Sequence, residues 1–241
     1  MRRRRRAAAL VVAALVLLVL VAGCSATTGS GRLVTREVDT AGGFDRIQAS
    51  SGFQVDVTMG ERDAVTVEVD DNLADRLDVG VAGGTLRLGL KPGPKGVQDA
   101  TLRATVTARR LHSLEGTGSS AVTVTGELPG PELDVGLSGA SSLDAAVRLE
   151  AAELDVSGAS ELRLRGSAGT VSATASGASR LALDELEAGR ATVELSGASQ
   201  ARVWATESLS ATASGASQLR FKGSPRFERR SASGGSSIEP S

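Results

Sequence analysis

The chain has 241 residues, with 27 Lys and Arg against 28 Asp and Glu, 29 glycines, one cysteine, one histidine and 2% aromatic side chains. A single cysteine excludes a disulfide-built fold, and a single histidine leaves no material for histidine-based triads or most zinc sites. Abundant Gly, Ser, Thr, Ala and Val predict short strands and tight turns, not a bulky core.

The first residues carry an address. Arg2 to Arg6 form a basic run, and Ala7 to Ala22 contain no charged or polar side chain. That apolar run falls short of the ~20 residues a helix needs to cross a bilayer. Basic start, short apolar run and small residues describe a secretory signal. Val21-Ala22-Gly23-Cys24 resembles the bacterial lipobox. The resemblance implies cleavage before Cys24 and a diacylglyceryl group on its thiol. Residues 1–23 are then the signal peptide. The expected location is the outer side of a bacterial membrane, and the expected partner is that membrane, through the lipid. The small polar residues that follow predict a flexible tether over 24–32. Loss of Arg2 to Arg6 leaves 22 basic against 28 acidic residues, a net of −6, which argues against a nucleic-acid partner.

Residues 33–108 are irregular. Period-two alternation predicts strands at Phe53–Val57, Ala64–Val69, Leu77–Val81, Leu86–Leu90 and Ala104–Thr107, separated by Gly, Pro, Asp and Asn turn signals. Residues 109–241 are a repeat. Ser-Gly-Ala-Ser starts at Ser138, Ser157, Ser176, Ser196 and Ser214, with degenerate copies at Thr117 and Ser233. The spacings are 21, 19, 19, 20, 18 and 19 residues. Alternating apolar residues flank each copy, so each unit reads as strand, turn, strand and a looser return turn such as Gly166–Gly169. One such unit has too few inward side chains to fold alone, but stacked units share ladder hydrogen bonds and one interior.

The expected fold is therefore all-β: a parallel β-helix with coils of about 19 residues, continuous over 33–241. Six intervals at about 4.8 Å give roughly 29 Å of rod for the repeat. Each tetrapeptide glycine is expected at positive φ, with the alanine after it pointing inward and the serines bonding along the stack. Segment 33–108 is expected to supply the first coils and one cap. The tail from Pro225, with Phe227 and Ile238, is expected to cover the other end.

Several of these residues form a family pattern. Phe44-Asp45-Arg46-Ile47, then Ser51-Gly52-Phe53-Gln54-Val55-Asp56-Val57, Leu86-Arg87-Leu88 and the Ser-Gly-Ala-Ser run resemble the bacterial head GIN family of auto-transporter adhesins. The resemblance spans about residues 34–239 and implies a β-helix-like domain on exported, often lipid-anchored proteins. It implies no catalytic residues and no cofactor.

The outward positions differ in sign between the two strands of each unit. Glu115, Asp134, Glu153, Asp155 and Glu194 fall on the first strand, and Arg163, Arg165, Arg202, Arg220 and Lys222 on the second. Trp204, the only tryptophan, stands among the cations, and equal spacing places Asp184 and Lys222 beside it on adjacent rungs. The candidate binding site is Trp204, Arg202, Arg220 and Lys222, in which the indole stacks on a sugar ring while the cations meet an anionic envelope polymer. Alternatively the indole packs over the long side chains, and the face only keeps the rod soluble. His112 reads as an ordinary strand residue. The expected function is a surface binding, adhesion-like or structural module, with an anionic polymer or another surface protein as partner. The alternative is an enzyme or accessory factor acting on surface polysaccharide.

Overall fold

The computed structural model describes residues 26–241; the apolar leader, the lipobox and Cys24 lie outside the described residues. The strands in chain order are β1 (Ala26–Thr28), β2 (Leu33–Glu37), β3 (Arg46–Ala49), β4 (Gln54–Met59), β5 (Ala64–Asp70), β6 (Leu77–Ala82), β7 (Thr85–Leu90), β8 (Gly96–Gln98) and β9 (Leu102–Ala108). Then follow β10 (Ser113–Gly116), β11 (Ala121–Leu137), β12 (Ser142–Val156), β13 (Glu161–Ala175), β14 (Arg180–Leu195), β15 (Gln200–Ala213), β16 (Gln218–Lys222), β17 (Arg226–Ala232) and β18 (Ser237–Pro240). Among the described residues one 3₁₀ segment, Asp71–Arg76, interrupts them. Among the described residues no helix is long and apolar enough to cross a membrane.

From β10 onward every pairing between strands is parallel. The fold is a parallel β-solenoid: each of β11 to β15 pairs with the strand one repeat before and one repeat after. Register stacks like on like. Val122, Leu143, Leu162, Leu181, Ala201 and Leu219 form one inward column. Leu133, Ala152, Val171, Ala191 and Leu209 form another. All of these are buried, so the period-two pattern of the sequence becomes one continuous apolar interior. The return turn expected at Gly166–Gly169 is not a break. β13 runs through it with pairing intact, bent where Gly166 takes φ 110°.

The sharp corners are the tetrapeptides. Gly139, Gly158, Gly177 and Gly215 share φ 76°, and Gly197 has 73°. The ladder does not stop there: Ala159 N–H donates to Gly139 O at 2.8 Å, and Ala178 N–H donates to Gly158 O at 2.7 Å. The inward residue of the corner differs from expectation. The alanines (Ala140, Ala159, Ala178, Ala198, Ala216) are exposed. The last serine is inside instead: Ser141, Ser160, Ser179, Ser199 and Ser217 are 0–2% exposed. The inward parity runs unbroken from Leu137 through Ser141 to Leu143, and the left-handed glycine turns outward only the place between them, Gly139. A buried hydroxyl needs a partner, and the corner supplies one. Ser141 Oγ donates to Ser138 O at 2.9 Å, Ser179 Oγ to Ser176 O at 2.8 Å and Ser199 Oγ to Ser196 O at 2.9 Å. The expected ladder between rungs is present at three steps, where Ser141, Ser199 and Ser217 N–H donate to the Oγ of Ser160, Ser217 and Ser236 at 3.2–3.3 Å.

The two ends are built differently. At the N-terminal end the parallel order gives way to antiparallel pairs: β2 on β5, β5 on β9 and β6 on β7. Strand reversal stops a further parallel rung from adding in register and closes the coil. The segment read as a flexible tether is fixed to this cap. β1 pairs with β8, and Gly31 N–H donates to Asp70 Oδ1 at 2.6 Å. The other oxygen of Asp70, a residue 1% exposed, accepts from Thr101 N–H at 2.7 Å. At the C-terminal end no separate cap forms. β17 and β18 are one more rung, with Phe227 under Leu209 and Ile238 under Leu219. Arg230 occupies the inward position below Ala211, stacks on Phe227 and donates across the rung to Ile238 O.

Candidate functional site

The second strand of each repeat presents one outer face, and its charge is settled rung by rung. Near the middle of the rod the arginines are neutralised. Arg165 Nη2 lies 2.9 Å from Asp144 Oδ1, and Arg163 lies 3.5 Å from Asp144 and 3.4 Å from Glu161. On the next three rungs they are not. β14, β15 and β16 place Arg180, Gln200 and Gln218 in one outward column and Ala182, Arg202 and Arg220 in the next. Trp204 and Lys222 form a third. Among the described residues no carboxylate lies within 4 Å of Arg180, Arg202 or Arg220. Rung spacing of about 4.8 Å sets Arg202 and Arg220 at the pitch of neighbouring strands.

The four residues expected to form a site therefore stand together, with two differences in detail. The neighbour of Trp204 on the preceding rung is Glu187, not Asp184, because the register slips between Leu183 and Glu187. And the indole is half-buried, with Lys222 Nζ 3.8 Å from the ring centroid. That cation–π contact, about 0.5–1 kcal/mol at such a site, holds the lysine over the ring and occupies that face of the indole. The glutamines of the face, Gln200 and Gln218, were not singled out from sequence; their alignment with Arg180 emerges only from register.

Two other clusters stand near the cap. Asp45 has His112 Nδ1 at 3.5 Å, with Arg46 and Arg110 each at 3.9 Å. His112 lies in the bend before β10, a partner of this carboxylate outside the strand itself. Asp63 meets Arg109 at 2.9 Å. Burial works against ionisation of Asp63, but hydrogen bonds from the Arg109 side chain and backbone, together with its charge, outweigh it and hold the carboxyl below its usual value of 3.8. A cleft of about 410 Å³ runs between β2 and β6, floored by Val38, Val67, Leu77 and Val79. Among the described residues no three His, Cys, Asp or Glu side chains gather as a metal site.

A parallel solenoid with an antiparallel cap and a cationic stretch on one outer face defines a rod-shaped β-solenoid domain. The sequence pattern described as "Putative auto-transporter adhesin, head GIN domain" matches residues 43–225. The chain belongs to that family. Its fold is similar to that of a putative adhesin from Bacteroides fragilis, at 22% identity and a TM-score of 0.82, covering 89% of this chain and 99% of that one. It is similar also to a putative lipid binding protein from Parabacteroides distasonis, at 19% identity and TM-score 0.73, covering 90% and 100%. A putative adhesin from the same organism has 18% identity and TM-score 0.72, again covering 90% and 100%. No curated protein matches the chain. The family and these neighbours are described as adhesins or binding proteins, not as enzymes.

Proposed function

We propose that this chain is a lipid-anchored binding module of the bacterial envelope, and that it takes an anionic polymer on the outer face of β14, β15 and β16. The observation that carries this reading is the row Arg202–Arg220, flanked by Arg180: among the described residues none of the three has a carboxylate within 4 Å, although Glu239 stands one strand from Arg220 and Glu161 one strand from Arg180. Earlier rungs of the same face answer each arginine with Asp144 or Glu161. A face that only kept the rod soluble would need no such change. Guanidinium groups bind carboxylate and phosphate in paired geometry, and Gln200 and Gln218 add neutral donors and acceptors suited to hydroxyls. Trp204 holds Lys222 in place beside them. The anchor rests on the lipobox at Cys24.

The test is a titration of the domain with a soluble polyuronate and with a polyol phosphate, followed by Trp204 fluorescence, with neutral dextran as control. The reading predicts saturable, salt-sensitive binding to an anionic polymer, weakened at least tenfold by Arg202→Glu with Arg220→Glu, about 1.4 kcal/mol or more. Binding indifferent to those changes would refute it.

A further inference from the structure

The strand β1 fixes where the chain enters the fold. Ala26 stands opposite Gly96, Thr27 opposite Val97 and Thr28 opposite Gln98, in parallel. Gly29 N–H then donates to Gln98 O at 3.3 Å, and Gly31 N–H to buried Asp70 at 2.6 Å. The entry is thus pinned to the cap within its first few residues. Lys95 immediately precedes Gly96, the partner of Ala26. The pairing therefore sets Lys95 next to the start of β1, one residue from a pair at the ~4.8 Å strand spacing. Only Ser25 separates Cys24 from β1, a reach of about 7 Å at full extension.

The loop that ends in Lys95 is built to hold its shape. Lys91 N–H donates to Arg76 O at 2.7 Å, and Arg76 Nη2 donates back to Lys91 O at 3.3 Å. The Arg76 guanidinium packs so closely under Gly93 that a Cβ there would lie 2.7 Å from it. Pro92 and Pro94 restrict the backbone on either side. Lys91 and Lys95 are two of only three lysines in the chain. Both are exposed, and among the described residues neither has a carboxylate within 4 Å.

We propose that the loop Lys91–Lys95 is a membrane-contact surface, which sets Lys91 and Lys95 against the phosphates of anionic lipids in the leaflet that carries the anchor. The cap then faces the bilayer and the rod points away from it. This rests on the lipid-anchored reading above and adds what that reading lacks, an orientation. Each lysine at an anionic surface strengthens contact by about fivefold. Side-on docking of the rungs nearer the cap is opposed by charge, and the Arg202–Arg220 row lies on rungs further out. Glu115, Glu153 and Asp155 are exposed or half-exposed on one outer face, and on the other Asp144 and Glu161 answer the arginines nearer the cap. Eight rung steps in register separate β7 from β17, the last coil, which puts the far end about 38 Å further out.

The test uses the mature full-length protein, extracted from membranes and reconstituted into phosphatidylglycerol-containing vesicles. Pro94→Cys and Ser241→Cys variants carry a thiol-linked fluorophore, and a nitroxide on lipid headgroups quenches only at contact range. The proposal predicts that the probe at residue 94 loses about half its emission while the probe at 241 keeps it, and that Lys91→Glu with Lys95→Glu restores most of the loss. Equal quenching at both positions, or quenching at 94 untouched by charge reversal, would overturn it. Flotation of the same samples separates the two readings: protein that fails to float with vesicles refutes the anchor, while protein that floats without quenching at 94 refutes only the contact surface.

Discussion

Replacing Gly177 by alanine isolates what the corner glycines do. Gly177 holds φ 76°, and a Cβ built on it would sit 2.5 Å from Gly158 O. That oxygen cannot retreat, because it accepts the ladder bond from Ala178 N–H at 2.7 Å. The substitution therefore meets two costs. The left-handed conformation costs an alanine about 1–2 kcal/mol, and forcing the extra atom against fixed backbone adds about 1–3 kcal/mol. Gly52 separates the two. It has φ 81° but nothing within 4 Å of its Cβ position, so Gly52→Ala carries only the conformational part. Ala178→Leu, on the exposed alanine one residue further on, is expected to change stability by no more than about 0.5 kcal/mol. Denaturant unfolding followed by far-ultraviolet circular dichroism, with slopes compared to verify a common transition, ranks the three. Gly177→Ala is expected to lose about 2–5 kcal/mol, Gly52→Ala about half of that, and Ala178→Leu almost nothing. Equal losses at Gly177 and Gly52 would refute the stacked-carbonyl argument, and a large loss at Ala178 would refute the assignment of inside and outside at the corner.

Removing a corner hydroxyl with Ser179→Ala is expected to cost about 1 kcal/mol, because Ser176 O loses its buried donor; an unchanged unfolding midpoint would contradict this. Asp70→Ala leaves the N–H groups of Gly31 and Thr101 without their acceptor. It is expected to cost about 2–4 kcal/mol and to open residues 26–31 to limited proteolysis, with the solenoid still intact. The lowered pKa of Asp63 makes stability fall as pH drops below 3.8 and through the folded-state value, since the unfolded chain then takes up the proton first. Asp63→Asn should flatten that part of the acid-unfolding curve and leave the curve above pH 5 unchanged in shape. Cys24→Ala is expected to block maturation, leaving a precursor of higher mass held by its apolar leader or shed; mature, membrane-partitioned protein in that variant would refute the anchor.

Much of this architecture was legible in the sequence because the repeat states it several times over. Five copies of Ser-Gly-Ala-Ser fix the coil length, and flanking leucines and valines at period two fix the interior, so register follows from counting. The strands of the irregular segment were legible for the same reason: β5 (Ala64–Asp70) and β7 (Thr85–Leu90) alternate cleanly between turn signals. The corner alanine was placed inside for its small size, whereas counting in twos from Leu137 to Leu143 leads to Ser141. The other misses come from interactions between residues far apart or off the regular spacing. Equal spacing put Asp184 beside Trp204, whereas extra residues in β14 bring Glu187 there. Small polar residues before Arg32 looked like a tether because their fixing partner, Asp70, is about 40 residues away in sequence. Phe227 and Ile238 were placed at the right end of the rod, which they cover as the last rung on either side of the Ser233 copy.

The face itself was found by its alternation, but which of its charges are free was not. That depends on Asp144 standing next to Arg163 and Arg165 while Ala182 stands next to Arg202, a matter of ladder register. The central functional claim is that Arg202 and Arg220 make direct contact with an anionic polymer. Its most direct measurement is the salt dependence of binding, comparing the native domain with the Arg202→Gln, Arg220→Gln double variant against the polymer that binds. Contact predicts that the slope of log affinity against log salt becomes shallower by roughly one to two, as two fewer counterions are released. A slope that stays the same in the double variant would contradict the claim.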